Sequence, residues 1–256
     1  PSTLLATLMA RRSGIPVAHL ESGLRSGSFM NPFPEELIRV LVMRRADVCF
    51  APDASSLGNL RSMGLKARIV ETSGNTGLEA LRDALVDVEP ASGPVVATLH
   101  RVENLHRSER FDGFLALLGR LAGRGLAVKF VVHPPTDGVL TRKGGRASVE
   151  AMGVATSDLV AYDEFVTMLA AAPLVITDGG SIQEECARLG VPTVLWRDRT
   201  ERPDGVGQNV LVSHYDDALV DSLLADLERW RRPRRLGDER PAAEVVDVLV
   251  EMSGGA

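Results

Sequence analysis

The stretch Thr177-Asp178-Gly179-Gly180-Ser181-Ile182-Gln183-Glu184-Glu185 has the residue types of an anion site. An apolar run, Leu174-Val175-Ile176, ends in a small-residue turn, and a helix carrying two carboxylates follows at once. That order aims backbone N–H groups and a helix N-terminus at one spot, which suits a diphosphate. A carboxylate about one turn into the helix is then placed to grip a ribose diol. The ligand indicated is a nucleotide or nucleotide-sugar.

Further groups follow strand-like segments. Glu21 stands just after Ile15-Pro16-Val17-Ala18-His19-Leu20, and Glu35 opens the next helix. Two carboxylates in a partly dry site can serve as general acid and base. Each also has an ordinary alternative: Glu35 as a first-turn acid favourable with the helix dipole, and Glu21 as a loop carboxylate paired with Arg25. His100-Arg101 follows Val95-Val96-Ala97-Thr98-Leu99, where a cationic pair could neutralise a departing diphosphate; the alternative is a histidine that caps a loop. His133-Pro134-Pro135 reads as a rigid turn, His19 as a satisfied core residue, and His106 and His214 as surface or loop positions. Phe165 offers a ring to a flat base or to the core. Arg197, Arg199 and Arg202 alternate with Asp198 and Glu201, either as a self-paired charge cluster or as phosphate contacts. Walker-type lysine, dinucleotide-binding glycine and metal-ligand patterns are all absent from the sequence.

The elements that must position these groups alternate along the chain. Helices are expected over 2–12, 34–44, 54–63, 78–86, 111–122, 145–152, 165–171, 182–189, 218–231 and 242–252. Strands are expected over 15–20, 47–52, 67–71, 95–99, 127–132, around 159–160, over 174–176 and over 193–195, and residues 26–34 form a loop. Strands that are apolar throughout and alternate with helices imply parallel sheets covered on both faces. The Glu89-Pro90-Ala91-Ser92-Gly93-Pro94 segment is the expected interdomain boundary, giving domains of 1–90 and 91–256. The last helix is allowed to pack back on the first domain. Two such sheets joined by one linker place a ligand cleft between them, at the carboxyl ends of the strands. An opening on a helix, with no strand before it, points to a fold whose beginning lies ahead of Pro1.

With 256 residues, 45% hydrophobic and 25% charged, the chain can bury a sizeable core. A net charge of −5 argues against nucleic acid or an anionic membrane as the main partner, so any phosphate site must be local. Cys49 and Cys186 fit reduced thiols in a cytosolic enzyme better than a disulfide framework. No apolar run approaches the ~20 residues of a membrane span.

Taken in order, His19-Leu20-Glu21-Ser22-Gly23-Leu24-Arg25-Ser26, Pro32-Phe33-Pro34-Glu35-Glu36, Gly74-Asn75-Thr76, Leu99-His100-Arg101-Val102-Glu103-Asn104, the Asp178–Glu185 turn and Arg197-Asp198 through Arg202-Pro203 resemble the non-hydrolysing UDP-N-acetylglucosamine 2-epimerases. The resemblance spans nearly the whole chain. It implies two Rossmann-like domains of the glycosyltransferase-B type with the first domain incomplete, a cytoplasmic homodimer serving cell-surface polysaccharide synthesis, and no redox cofactor or obligatory metal. It also implies the reaction. UDP-GlcNAc and UDP-ManNAc interconvert by loss of the C-2 proton, elimination of UDP to 2-acetamidoglucal, and re-addition with C-2 reprotonated on the other face. By position, Glu21 and Glu35 match the acid/base carboxylates and His100 the histidine near the diphosphate. Gly179, Gly180 and Ser181 match the phosphate contacts, Glu185 the ribose contact, Phe165 the uracil contact and Arg202 a sugar-diphosphate contact.

The departures from the family pattern are specific. The family's catalytic Asp, in a Gly-Asp-Thr turn, would stand two positions ahead of Pro1, and a chain without it is expected to be inactive. Thr-Asp-Ser-Gly-Gly becomes Thr177-Asp178-Gly179-Gly180-Ser181, Asn-Arg becomes Ile38-Arg39, and His-Pro-Asn becomes His133-Pro134-Pro135. The alternatives are a hydrolysing 2-epimerase that releases ManNAc and UDP, and a nucleotide-sugar binding protein without turnover. A glycosyltransferase is disfavoured because Glu21 and Glu35 would have no assigned role in one.

Overall fold

The computed structural model describes residues 2–25 and 35–254, with Glu35 and Gly254 described by backbone alone. The expected 26–34 loop, including Pro32-Phe33-Pro34, lies outside the described residues. The chain forms two compact units, one of Pro1–Ala80 with Gly237–Ala256 and one of Leu81–Leu236.

The first unit begins α1 (Ser2–Arg12), β1 (Ala18–His19), α2 (Glu35–Met43), β2 (Val48–Ala51), α3 (Ala54–Ser62), β3 (Arg68–Glu71), and the chain leaves it within α4 (Gly77–Ala84). Its three strands pair in parallel in the order β1-β2-β3, with Ala18 opposite Val48 and Cys49 opposite Ile69. All four residues of β2 are buried, and the period of two sends alternate side chains to opposite faces. Cys49 and Ala51 pack with Val40, Met43, Leu57 and Leu60 of α2 and α3. Asp53 starts α3 by accepting the Ser56 amide at 2.8 Å, a cap worth about 1 kcal/mol.

The second unit runs β4 (Val95–Ala97), α5 (Val102–Leu105), α6 (Ser108–Gly123), β5 (Val128–Val131), α7 (Pro134–Thr141), α8 (Gly145–Glu150), β6 (Val154–Ser157), α9 (Tyr162–Ala171), β7 (Val175–Thr177), α10 (Gly180–Leu189), β8 (Thr193–Leu195), β9 (Val210–Val212), α11 (Asp217–Leu224) and α12 (Leu227–Trp230). The chain then returns to the first unit as α13 (Pro241–Gly254), whose Val245 and Val248 cover Val48 and Phe50 of β2. The six strands of the second unit pair in parallel in the order β6-β5-β4-β7-β8-β9. The chain therefore walks outward from β4 to β6, then reverses at β7 and walks the other way. That reversal is a topological switch point, where open α/β sheets leave a crevice at the strands' carboxyl ends. Helix α6 shows what holds the layers: it has no side-chain cap but buries Phe111, Phe114, Leu117, Leu118 and Leu121. Each such side chain contributes roughly 2 kcal/mol or more, so the stripe outweighs the missing cap.

The secondary structure departs from the sequence expectation at short or proline-marked segments. The strand expected around 159–160 lies earlier, at Val154–Ser157, because Val154 is buried opposite Val128 whereas Leu159 is 51% exposed. Pro134 and Pro135 begin α7 rather than fix a turn, since proline is tolerated in a helix's first turn. The helix expected over 218–231 is broken where Asp226 caps a new start by accepting the Arg229 amide at 3.1 Å. Cys49 and Cys186 are free and buried, and burial pushes the Cys186 thiol up to about 12. Among the described residues, no helix is long and apolar enough to cross a membrane.

Candidate functional site

In the second unit the site residues collect at the switch point. The β4 strand delivers His100 and the adjacent β7 delivers Asp178. Asp178 is fully buried, yet its carboxylate accepts the amides of His100 (3.0 Å) and Arg101 (2.9 Å) and the side-chain amide of Asn104 (2.9 Å). A buried carboxylate persists only when its lone pairs are filled in this way. His100 Nδ1 lies 3.2 Å from Asp178 Oδ1 without hydrogen-bond geometry. Asn104 is itself held by Tyr215, whose hydroxyl donates to Oδ1 at 2.9 Å, and it donates to the Trp196 carbonyl at 3.1 Å. Asp178 is thus a structural pin that fixes the loop after β4 to the end of β7. The sequence reading placed it in the turn without this role; the available signal was an acid directly continuing an apolar run.

Helix α10 starts at Gly180, two residues before the expected Ile182, with Gly179 as its N-cap and no side-chain cap. The Gly179 amide is taken by Thr177 Oγ1 at 3.0 Å, and the Gln183 amide by the Gly179 carbonyl at 3.0 Å. The amides of Gly180, Ser181 and Ile182 have no partner among the described residues. They form the seat that a helix N-terminus offers an anion. Both glycines are closely packed by side chains. A Cβ at Gly179 would come within 3.1 Å of His100 Cε1, and one at Gly180 within 3.1 Å of Arg202 Nε. His100 and Arg202 therefore both lie against the start of the helix, and Ser181 beside them is exposed.

Arg202 is held from two sides. Its guanidinium pairs with buried Glu184, and its carbonyl accepts from Gln183 Nε2 at 3.0 Å. The rest of the segment after β8 is fixed by Glu201, which binds Arg197 at 2.7 Å and Arg101 at 3.4 Å. Burial pushes the Glu201 carboxyl up, but the two guanidinium charges outweigh it and hold the group at about 2. Arg199 lies beside Asp198 at the surface. The arginine cluster is therefore split: Arg197 and Arg202 are buried in ion pairs, and only Arg202 touches the glycine turn. His133 stacks on His100 with ring centroids 4.6 Å apart; burial lowers its pKa and the neighbouring His100 lowers it further. Phe165 sits one turn into α9, half-buried against the core of Val166, Leu169 and Cys186. Glu185 is half-buried, and its Oε1 accepts from the Tyr162 hydroxyl at 3.0 Å.

In the first unit Glu21 follows β1 with φ +51°, a left-handed backbone rare for a residue with a Cβ. Its neighbours hold it there: the Ser22 amide donates to the Phe50 carbonyl at 2.8 Å and the Ser22 hydroxyl to the His19 carbonyl at 2.7 Å. Gly23, at φ +88°, is packed so closely that a Cβ would lie 2.2 Å from the Ser56 carbonyl oxygen. Glu21 Oε1 accepts from Asn75 Nδ2 at 2.7 Å, while Asn75 Oδ1 takes the Gly77 amide at 3.0 Å in an Asx turn. The Gly74-Asn75-Thr76 turn thereby aims an amide at Glu21. Arg25 donates to Glu36. Glu36 is fully buried and lies 3.8 Å from Arg39, a role that sequence reasoning missed. Of Glu35 only the backbone, at the start of α2, is described. A cavity of about 460 Å³ is lined by Glu21, His19, Arg39, Met43 and Thr76 among others. His19 is not a satisfied core residue: among the described residues its buried Nδ1 has no hydrogen-bond partner, and burial lowers its pKa.

Helix-start amides flanked by histidine and arginine in one unit, and a left-handed glutamate beside a cavity in the other, are the groups to set beside comparisons with known proteins. The UDP-N-acetylglucosamine 2-epimerase family model matches residues 1–250. The chain is 33% identical over 237 residues to the UDP-2,3-diacetamido-2,3-dideoxy-D-glucuronate 2-epimerase of Pseudomonas aeruginosa, covering 88% of this chain and 65% of that one. It is 34% identical over 250 residues to a probable UDP-N-acetylglucosamine 2-epimerase of Ralstonia solanacearum, covering 88% and 64%. The chain thus spans a little under two thirds of either relative. A crystal structure of the UDP-GlcNAc 2-epimerase of Neisseria meningitidis bound to UDP-GlcNAc superposes with a TM-score of 0.82 at 25% identity, over 97% of this chain and 73% of that one. The family model spans nearly the whole chain, and the chain belongs to the UDP-N-acetylglucosamine 2-epimerase family.

Proposed function

We propose that the protein inverts C-2 of a UDP-linked 2-acetamido sugar, UDP-GlcNAc to UDP-ManNAc, by elimination and re-addition of UDP. The observation that carries this reading is Glu21, held at φ +51° with Oε1 on Asn75 at the wall of a cavity. A diphosphate seat alone would serve a glycosyltransferase equally well; a positioned carboxylate is what proton transfer at carbon requires in addition. Glu21 and Glu35 act as the acid and base. The pair of electrons left by the C-2 proton forms the C-1–C-2 double bond as the C-1–oxygen bond breaks and UDP departs. The amides of Gly180, Ser181 and Ile182, with His100 and Arg202, receive the charge of the leaving diphosphate. Glu185 takes the ribose diol and Phe165 the uracil. In return, UDP adds to C-1 while C-2 takes a proton on the opposite face.

The Pseudomonas aeruginosa relative favours a second substrate of the same class, a UDP-linked 2,3-diacetamido uronate, on which the same atoms react. The reading also makes the protein a cytoplasmic homodimer that serves cell-surface polysaccharide synthesis, which light scattering and fractionation check. The decisive experiment is incubation of the full-length protein with each sugar nucleotide in D2O, followed by NMR. Deuterium at C-2 with appearance of the epimer supports the proposal, and free ManNAc with UDP indicates the hydrolysing outcome. UDP binding without exchange at C-2 overturns the epimerase reading in favour of a binding protein.

A further inference from the structure

We infer that Tyr162 is a positioning residue for Glu185, fixing the carboxylate that reads the ribose and so setting the preference for a ribonucleotide. The inference rests on the proposal that Glu185 takes the ribose diol. Its basis is the contact between the first residue of α9 and α10, in which the Tyr162 hydroxyl donates to Glu185 Oε1 at 3.0 Å. Tyr162 is 42% exposed, so the ring is not there to fill a core. Burial pushes the Glu185 carboxyl up, and the tyrosine hydroxyl opposes that by favouring the ionised form. An ionised carboxylate accepts at both oxygens, whereas a protonated one gives up part of that capacity to its own proton. With Oε1 tied to Tyr162, the group is held as an acceptor in one orientation, and its remaining lone pairs are available to hydroxyl donors. Tyr162 and Phe165 are also spaced i,i+3 on α9, so one helix face supplies both the support of the ribose carboxylate and the proposed base contact. The competing account is a Tyr–Glu bond that merely ties α9 to α10.

Calorimetric titration separates the two accounts, using UDP and 2′,3′-dideoxy-UDP against the wild type, Tyr162→Phe, Glu185→Gln and the double variant. The wild type is expected to prefer UDP at least tenfold. Tyr162→Phe should weaken UDP by roughly 3- to 10-fold, the range for one hydrogen bond, leave dideoxy-UDP within twofold, and add nothing in the Glu185→Gln background. Equal weakening of both nucleotides, or an unchanged preference, overturns the inference while leaving the role of Glu185 intact. A wild type with no preference overturns the ribose assignment and the inference together.

Discussion

Asp178 in the second unit and Glu21 in the first are carboxylates held in opposite ways. In the second, Asp178 is fully buried and filled by two backbone amides and an asparagine, and it does no more than hold the anion seat in shape. In the first, Glu21 is exposed, held in a left-handed backbone, and its Oε1 takes an amide from Asn75. In the proposed mechanism the six-stranded sheet carries the receptor for a fixed charge, and the three-stranded sheet carries the group that changes its proton. Preorganisation suits binding of a diphosphate, whose charge persists. A proton-transfer group needs access to its substrate, which a fully buried and paired carboxylate lacks.

The largest effect should come from the first unit. Glu21→Gln, and separately Glu35→Gln, should slow C-2 deuterium exchange by about 10²- to 10⁴-fold, the usual worth of a general acid or base. UDP affinity should stay within twofold, and calorimetry beside the NMR assay checks both. Normal exchange in both variants would remove the proposed division between binding and chemistry. Next in size is Asp178→Asn, which sets an amide donor against amide donors. It should destabilise the second unit by about 3 kcal/mol, the scale of a lost charged hydrogen bond plus an unsatisfied group, and weaken UDP binding as the His100 loop loosens. Both tryptophans, Trp196 and Trp230, lie in this unit, so their fluorescence in a urea titration reports it alone.

A smaller pair of changes tests whether the units keep separate stabilities. Gly190 ends α10 at φ +72°, and a Cβ there would lie 2.0 Å from the Arg232 carbonyl oxygen; Gly23 is its counterpart in the first unit. Alanine at either should cost roughly 2 kcal/mol through strain and overlap. Gly190→Ala should lower the tryptophan transition. Gly23→Ala should speed amide exchange in β2 while leaving that transition in place, and a shift of the fluorescence midpoint by Gly23→Ala would show one cooperative whole.

The smallest effect is on pH. Each unit holds a histidine whose pKa lies below its ordinary 6.5, chiefly through burial: His19 in the first and His133 in the second. The unfolded chain therefore binds more protons than the folded one just below pH 6.5. Stability is full above that value and is lost as pH falls from it toward each folded pKa. His133→Gln should flatten this slope in the tryptophan signal, and His19→Gln should flatten it only in the amide exchange of the first unit. Glu201, held at about 2 against an ordinary 4.5, acts in a separate window: its contribution is present above pH 4.5 and lost toward pH 2.

Most long elements were legible because burial wrote their period into the chain. Val48-Cys49-Phe50-Ala51 is apolar throughout and is buried throughout, and the Phe111–Leu121 stripe faces the core at helical spacing. What escaped was short or locally ambiguous: β9, α5, the proline start of α7, and the displaced β6. Three- and four-residue segments carry too little periodicity to be told from loops. At the site, the glycine turn was legible because small residues end an apolar run and open a helix at once. The partnership of Asp178 with residues 74–78 positions earlier in the chain was not, since nothing local marks a contact across neighbouring strands.

By itself the sequence determined the types of group and the strands that carry them: a glycine turn after β7, a histidine after β4, a glutamate after β1. These are local matters of steric freedom, hydrophobic period and capping. Only the tertiary structure decided which of those groups meet. The reversal of strand order puts β4 beside β7 and so joins His100 to Asp178, and Asn75, 54 positions on, supplies an amide to Glu21 Oε1. Pairing across a parallel sheet depends on the order in which strands assemble, and that order is a property of the packed chain rather than of any segment of it.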